Sequence, residues 1–279
     1  MADTQASLIA ILPALIWAIV PLIYKEFIGK NSAIKINFYR MLYASLVLFI
    51  PFILFGYNEG IFFGIISGIL TLAIGDSFYL LAIRKIGASI AAPTAYTYVF
   101  FSQFAALSLG EKVTLNYFIS SILIISGVFI LSRTGKSEGR FLGILIALSA
   151  SLFWTLGQSM IKMATIQTMN YLSIAFARTF SACILLGIAS YINERELSLK
   201  VGMKKNAILA IASICDLAIG SSLFILSIAL AGLGITVIVT SLSPLITQLI
   251  AKISGKENPE INDIFGGLLI VAGVMISLI

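Results

Sequence analysis

The sequence has no histidine, and Asp, Glu, Lys and Arg together make up only 11% of its 279 residues. The missing histidine excludes His-ligated metal sites, histidine general bases and histidine proton relays. Soluble domains carry roughly 25% charged residues, so this chain has too little polar surface for a soluble enzyme or a disordered protein. The two cysteines, Cys183 and Cys215, lie inside apolar runs without disulfide or zinc-ligand spacing. We therefore expect neither a metal site nor a cofactor.

Long hydrophobic runs dominate what is present. Hydrophobic residues make up 59% of the chain, and the mean hydropathy is +1.07. A transmembrane helix takes about 20 residues, so these runs predict ten spans. Their predicted bounds are 5–25, 33–56, 61–83, 88–108, 114–132, 140–164, 170–192, 205–231, 234–253 and 261–279. Because the runs are continuous and do not alternate with polar residues, they predict an all-α integral membrane protein rather than a transmembrane barrel.

Lysine and arginine are distributed unevenly between the loops. The loops after odd-numbered spans hold 14 of the 18 Lys and Arg residues, whereas the other loops hold only Lys112 and Lys162. Cytoplasmic loops carry the excess of positive residues, so we expect a multi-pass protein of the cell membrane with both termini outside the cytoplasm. The first residues, MADTQ, contain no basic residue, so the first run is read as a permanent span. The net charge of +6 is explained by this bias and predicts no nucleic-acid partner.

The second half of the sequence repeats the first. Residues 73–83 (AIGDSFYLLAI) and 218–228 (AIGSSLFILSI) are identical at six of eleven positions, at an offset of 145. Three further pairs align in the same order at offsets of 137, 138 and 145, namely Trp17 with Trp154, Arg40 with Arg178, and Gln103 with Gln248. We therefore predict two five-helix repeats, 1–133 and 139–279, joined by the polar turn 133–140.

The odd number of spans in each repeat determines how the two repeats are related. With five spans apiece, the second repeat must cross the membrane in the opposite sense to the first. Inverted repeats of this kind are typical of secondary transporters, whose substrate site lies near the bilayer midplane between the repeats. The sequence thus predicts ten transmembrane helices in two inverted five-helix repeats.

Several motifs recur at equivalent places in the two halves. Trp17 and Trp154 each lie in the first helix of a half, and a Gly-Glu or Gly-Lys-Glu turn precedes the fifth helix of each half. In these features the chain resembles the EamA-type ten-helix members of the drug/metabolite transporter superfamily. The family also tends to have a proline near the end of the fourth helix of each half. The second half has Pro244 there, whereas Val99 stands at the matching place in the first half. The resemblance implies export or exchange of small metabolites such as amino acids, nucleotide precursors or quaternary amines.

Four charged residues away from the ends of the predicted spans stand out: Arg40, Asp76, Arg178 and Asp216. A charge in the bilayer is costly and normally faces protein or water, so each is a candidate functional residue. The two aspartates are candidate counter-ions for a cationic substrate group or proton carriers. The two arginines are candidates for binding a carboxylate or phosphate, or for gating together with Asp76 and Asp216. The alternatives are aspartates bonded to a neighbouring helix and arginines that extend to the membrane interface.

Aromatic and amide side chains complete the predicted substrate site. Tryptophan and tyrosine faces attract ring systems and ammonium groups, and an amide within a span needs hydrogen-bond partners. The candidates are Trp17, Tyr24, Tyr79, Tyr96, Tyr98, Gln103, Trp154, Gln158 and Gln248. The alternatives are interfacial or packing roles for the aromatics and helix-to-helix bonding for Gln103 and Gln248.

These features favour a secondary transporter for small organic metabolites, with amino-acid-like solutes preferred and a proton as a candidate coupling ion. Within the same class, an aromatic cage around Asp76 or Asp216 would suit a quaternary amine. A lipid flippase or a non-transporting scaffold is a further alternative, and it predicts polar residues on a side-opening groove. An enzyme is not expected, because no catalytic motif accompanies the aspartates. The expected partners are a small-molecule substrate and membrane lipids; one chain suffices for a pathway, and a dimer stays open.

Overall fold

A computed structural model describes residues 8–28, 31–86, 91, 94–131, 140–199, 201–253 and 261–277, and the regular structure of these residues is helical. The helices are α1 (Ile11–Ile28), α2 (Ala33–Phe55), α3 (Ile61–Ile86), α4 (Tyr98–Ser108), α5 (Leu115–Leu131), α6 (Arg140–Gln167), α7 (Tyr171–Glu194), α8 (Met203–Ala231), α9 (Leu233–Thr240 and Ser243–Ile253) and α10 (Ile261–Ser277). The predicted all-α class is confirmed.

The described helices differ in length. Five of them, α2, α3, α6, α7 and α8, are long and apolar enough to cross a membrane, and the other five contain shorter apolar segments. Large apolar side chains on the outside are exposed, for example Ile50 (64%), Leu54 (74%) and Ile211 (63%). A protein that exposes so much apolar surface needs a lipid environment. The membrane class is therefore clear, whereas ten complete spans stay a prediction.

Local chemistry explains where several helices begin and end. Ser32 caps α2, because its Oγ accepts a hydrogen bond from the backbone N–H of Lys35 (3.1 Å). Asn170 caps α7 by accepting from the N–H of Ser173 (3.2 Å). Such caps satisfy backbone donors that a helix start leaves free. Gly232, with φ of +99°, separates α8 from α9 in a conformation that other residues rarely adopt.

Helices α3 and α8 each contain a π-helical segment in the middle. The segments are Gly68–Gly75 and Ile214–Gly220, and the repeat offset of 145 aligns them with each other. Asp76 directly follows the first segment, and Asp216 lies within the second. A π-segment adds a residue to the helical turn, is rare, and often occurs at a functional site. The two halves thus carry the same backbone irregularity at equivalent places.

The two halves pack against each other through equivalent helices. Helix α2 lies along α7, and α5 lies along α10. Glycines allow the second pair to approach closely: a Cβ on Gly127 would lie 2.5 Å from the carbonyl oxygen of Gly266, and a Cβ on Gly273 would lie 2.8 Å from that of Ser120. Helix α1 packs against the π-segment of α8, and α6 packs against the π-segment of α3. The central helices of each half therefore contact those of the other.

The start of α2 and the end of α7 meet at one end of the bundle. At the start of α2, Lys35 forms an ion pair with Glu194 at the end of α7 (2.5 Å). The hydroxyl of Tyr39 donates to the carbonyl of Leu197 in the loop after α7 (3.0 Å). These contacts join the first turns of α2 to the end of α7 and the loop after it.

The loops after α2 and α4 contact the second half at the other end of the bundle. The hydroxyl of Ser173 donates to the carbonyl of Gly56 (3.0 Å), which joins the start of α7 to the loop after α2. Glu111, after α4, accepts from the N–H groups of Leu233 (2.6 Å) and Gly234 (3.0 Å) and pairs with Lys162 of α6 (2.8 Å). Loops of the first half thus cap and clamp helices of the second.

Candidate functional site

A cavity of about 110 Å³ lies between the two halves. A single water needs about 10–15 Å³ on the same measure, so the space admits more than isolated waters. Its walls come from α1, α2 and α3 of the first half and from α6, α7 and α8 of the second, together with residues near the start of α4. The sequence-predicted residues that line it are Trp17, Tyr24, Arg40, Asp76, Tyr79, Tyr96, Tyr98, Trp154, Gln158, Arg178 and Asp216.

A buried ionic cluster joins the two halves at one wall of the cavity. Nη2 of Arg40 lies 3.0 Å from Oδ2 of Asp76 and 2.8 Å from Oδ2 of Asp216. Arg40 is 5% exposed, Asp76 8% and Asp216 6%, so Arg40 points into the protein rather than toward a membrane interface. One guanidinium shared by two carboxylates leaves the cluster with a formal charge of −1.

Aromatic donors hold the two carboxylates in place. The hydroxyl of Tyr24 donates to Oδ2 of Asp216 (2.8 Å), and the guanidinium of Arg40 lies 4.4 Å from the centre of the Tyr24 ring. The indole N–H of Trp154 donates to Oδ1 of Asp76 (3.0 Å). Hydrogen bonds to a buried charge are stronger than those between neutral groups. They therefore help to offset the cost of burying two carboxylates.

Asn37 anchors Arg40 from behind and was not among the sequence candidates. Its Oδ1 accepts from Nη1 of Arg40 (2.8 Å). Its Nδ2 donates to the carbonyl of Leu72 (2.7 Å) and to the hydroxyl of Ser77 (3.1 Å). Leu72 lies in the π-segment of α3, where the irregular hydrogen-bond ladder leaves carbonyls for other donors. Its position three residues before Arg40, on the same face of α2, was the available sequence signal.

Arg178 occupies the place in the second half that Arg40 occupies in the first, but it has neutral partners. Its Nε donates to the hydroxyl of Ser67 (3.0 Å), and its Nη1 donates to that of Ser221 (2.6 Å). Ser221 stands at the repeat position of Asp76, at the offset of 145. Arg178 is 3% exposed and forms no ion pair within the described part of the chain. The two arginines therefore occupy equivalent positions in the repeat, but among the described residues only Arg40 has carboxylate partners.

The aromatic side chains form two walls, one around each tryptophan. Trp154 lies with its ring centre 5.0 Å from that of Tyr79 and 5.6 Å from that of Tyr98. Trp17 lies 5.1 Å from Phe224. Glycines of the opposite half make room for both: a Cβ on Gly75 would lie 2.6 Å from Cδ1 of Trp154, and a Cβ on Gly220 would lie 3.2 Å from Nε1 of Trp17.

One described sequence candidate, Gln103, does not line the cavity. Gln103 is fully buried, and its Nε2 donates to the carbonyls of Val99 (2.9 Å) and Gly234 (3.3 Å). It therefore ties α4 to α9, which is the packing alternative considered for it. The side chain of Gln248 lies outside the described residues.

Several residues that line the cavity were not sequence candidates. They include Thr71, Ser221 and Phe224. The repeat offset of 145 provides a signal for all three of them. It aligns Thr71 with Asp216 and Ser221 with Asp76, and it aligns Phe224 with the aromatic candidate Tyr79.

A helical membrane protein with a charged, aromatic-lined cavity between two related halves fits the class of membrane transporters. The chain belongs to the EamA-like transporter family, which matches residues 4–133 and 141–279. The resemblance drawn from the sequence is thereby confirmed. The chain is similar to an uncharacterized transporter of Archaeoglobus fulgidus, with 27% identity over 287 residues, covering 98% of this chain and 97% of the relative. A protein of known crystal structure shares the fold with a TM-score of 0.79 at 16% identity, covering 98% of this chain and 96% of its own.

Proposed function

We propose that the protein is a secondary transporter that moves small organic metabolites by alternating access, with amino-acid-like solutes as the favoured class. The observation that carries this proposal is the cavity, whose walls come from both halves and present carboxylates, a guanidinium and aromatic rings together. An amino-acid-like solute has an ammonium, a carboxylate and an apolar part, and each has a complementary group in these walls. The charged residues of the cavity are all buried, with 3–8% of each residue exposed, which favours an internal pathway over a lipid-facing groove.

The contacts between loops support inverted repeats. The start of α2 meets the end of α7 and the loop after it, whereas the loop after α2 meets the start of α7. In two halves related by inversion, the first loop of one lies beside the second loop of the other. Alternating access then requires the halves to rock about the shared cavity, and the Arg40 cluster joins both halves where such motion must begin.

We propose a proton as the coupling ion. Arg40 is the shared partner of Asp76 and Asp216, and a buried carboxylate without a partner is costly. A proton on Asp216 would neutralise it and free it from Arg40 without leaving a bare buried charge. Proton binding would thereby release the contact between the halves.

A quaternary amine is the second candidate substrate. Tyr79, Tyr98 and Trp154 cluster beside Asp76 with their rings inclined to one another. Several aromatic rings with a nearby carboxylate suit a cation that cannot donate hydrogen bonds. Arg178 in the same cavity favours an amino-acid-like solute over a quaternary amine, because a purely cationic solute leaves the guanidinium of Arg178 without a counter-ion. Uptake of choline in place of amino acids would favour this second candidate.

Flux into proteoliposomes tests the proposed function. We expect the purified protein to exchange labelled amino acids, and we expect Asp216→Asn to reduce this flux by at least about tenfold, since it removes a charge-assisted contact between the halves. Glu59→Gln is the matched control, because Glu59 is an exposed carboxylate outside the cavity. Absence of flux with both amino acids and quaternary amines, or undiminished flux in Asp216→Asn, would contradict the proposal.

We also propose that the α2–α3 loop faces outward and the α7–α8 loop faces the cytoplasm. Glu59 and Ser198 are exposed residues of these two loops. In a variant without the native cysteines, Glu59→Cys should react with a membrane-impermeant maleimide on intact cells, whereas Ser198→Cys should react only after permeabilisation. The reverse pattern would overturn the orientation that the positive residues predict.

A further inference from the structure

We infer that Arg178, with the hydroxyls of Ser67 and Ser221, forms the subsite for the carboxylate of the transported solute. This inference rests on the proposed function and assigns the solute's anionic group to one arginine. The two arginines occupy equivalent positions in the repeat, but only one of them is available. Nη2 of Arg40 already contacts two carboxylates, at 3.0 and 2.8 Å.

Arg178 combines burial, access to the cavity and a missing counter-charge. It is 3% exposed, lines the cavity and donates from Nε and Nη1 to two neutral hydroxyls. Among the described residues no carboxylate lies within ion-pair distance of it, although Asp76 is near enough to attract it. A buried guanidinium held only by neutral groups is costly, so an entering anion is stabilised there.

The repeat shows what has changed at this position. In the first half Arg40 faces Asp76, whereas in the second half Arg178 faces Ser221, which stands at the position of Asp76. Because Ser221 has a hydroxyl where Asp76 has a carboxylate, the position opposite Arg178 can be occupied by an anion from outside the protein. A guanidinium binds a carboxylate through two parallel hydrogen bonds, and the solute's carboxylate therefore takes the role that Asp76 has opposite Arg40.

Two other side chains of the cavity offer unused acceptors for an amino group. Oε1 of Gln158 and Oγ1 of Thr71 are buried and have no hydrogen-bond partner in the described part of the chain. Both residues line the cavity, and the Arg40 cluster nearby carries a formal charge of −1. The cavity therefore matches a solute with one carboxylate and one ammonium, and the single uncommitted guanidinium suits a carboxylate better than a phosphate dianion.

Three probes with the same ring separate the two ends of the solute: 3-phenylpropanoate, phenethylamine and L-phenylalanine. Their binding to the purified full-length protein is measured by quenching of tryptophan fluorescence. We expect Arg178→Gln to weaken the two carboxylate-bearing probes by about tenfold or more, as for the loss of a charge-assisted hydrogen bond, and to leave phenethylamine binding within about threefold. Arg84→Gln, at an exposed arginine, is the matched control and should change none of them.

Ser221→Asp provides a second test that does not remove the arginine. It supplies Arg178 with the internal carboxylate that Arg40 has in Asp76, so the protein should keep its thermal stability while losing affinity for the two carboxylate-bearing probes. Ser198→Asp, at an exposed serine outside the cavity, is the matched control and should retain that affinity within about threefold. If Arg178→Gln fails to fold, the comparison of Ser221→Asp with Ser198→Asp decides the question.

Two results would overturn the inference: no binding of either carboxylate-bearing probe to the wild-type protein, or unchanged affinity for them in both Arg178→Gln and Ser221→Asp. Tighter binding of phenyl phosphate than of 3-phenylpropanoate would also contradict it. Amino-acid flux that persists in Arg178→Gln would support the proposed transport function and contradict the carboxylate subsite. Carboxylate binding that follows the expected pattern, without flux in the wild-type protein, would support the subsite and contradict the proposed transport function.

Discussion

Trp17 and Trp154 stand at equivalent positions in the two halves, but their indole N–H groups have partners of different strength. Trp154 donates to the charged Oδ1 of Asp76 at 3.0 Å, whereas Trp17 lies 3.5 Å from the neutral backbone carbonyl of Asp216. Hydrogen bonds to charged groups contribute about 1.5–3 kcal/mol, roughly twice the contribution of neutral ones. The repeat therefore offers a matched pair of substitutions.

We predict that Trp154→Phe destabilises the protein more than Trp17→Phe does. Both variants keep an aromatic ring, but only Trp154→Phe removes a donor from a buried carboxylate. The expected fall in Tm is about 4 °C or more for Trp154→Phe and below about 2 °C for Trp17→Phe. Thermal unfolding in detergent measures both. Equal losses would show that the indole–aspartate bond contributes little.

At this scale the sequence identified the charged and aromatic residues but not their partners. The cost of burying Arg40, Asp76 and Asp216 indicated that they face protein or water, and the structure brings them together. The sequence could not show that Arg40 pairs with both aspartates while Arg178 pairs with neither, because those contacts join helices far apart in the chain. Gln103 illustrates the reverse, since an amide in a span fits either a cavity or a helix contact.

At the scale of helices, the π-segments of α3 and α8 place the aspartates and bring the helices close together. Gly68 starts the first segment, and a Cβ there would lie 2.7 Å from Cα of Arg178 on α7. The backbone of α7 cannot yield as a side chain would. Close packing at Gly68 thus positions both α3 and Arg178.

We predict that Gly68→Ala lowers both the Tm and the transport rate. The added methyl group must push α3 away from α7, and this cost exceeds the gain of up to about 1 kcal/mol in helix propensity. Gly202→Ala is the matched control, because Gly202 has a negative φ and open space where the Cβ would be. Its Tm should stay within about 2 °C of the wild-type value. An unchanged Tm for Gly68→Ala would contradict the close packing.

Glu111 allows a second prediction at this scale. Its carboxylate accepts from two backbone N–H groups at the start of α9 and pairs with Lys162. We predict that Glu111→Gln lowers the Tm by about 2–4 °C, since the amide has one acceptor oxygen and no charge for the helix terminus or the lysine. Glu59→Gln is the control for a general effect of charge. A loss of equal size in both variants would argue against the cap.

Helix positions followed from the sequence more readily than helix interiors did. Continuous apolar runs and polar loops placed most of the helices within a few residues, as at α2 and α7. The break in α9 at Ser241–Leu242 and the two π-segments were not predicted. Their causes are tertiary, because a π-turn persists only where neighbouring helices stabilise it.

At the scale of the whole molecule, the internal repeat was the most informative sequence feature. Offsets of 138 and 145 aligned Arg40 with Arg178 and α3 with α8, and the structure packs equivalent helices such as α2 and α7 against each other. The repeat could not indicate that the halves share one cavity or that their charges differ there. Those properties depend on single positions such as Ser221, where one half departs from the other.

Access to the cavity from each side of the membrane tests the central proposal most directly. Thr71 lines the cavity, and its Oγ1 has no partner among the described residues, so Thr71→Cys in a variant without Cys183 and Cys215 introduces a small reporter. We predict that a membrane-impermeant thiol reagent labels it in both right-side-out and inside-out vesicles, and that substrate changes the ratio of the two rates. Labelling from one side only, with no change when substrate is added, would contradict alternating access.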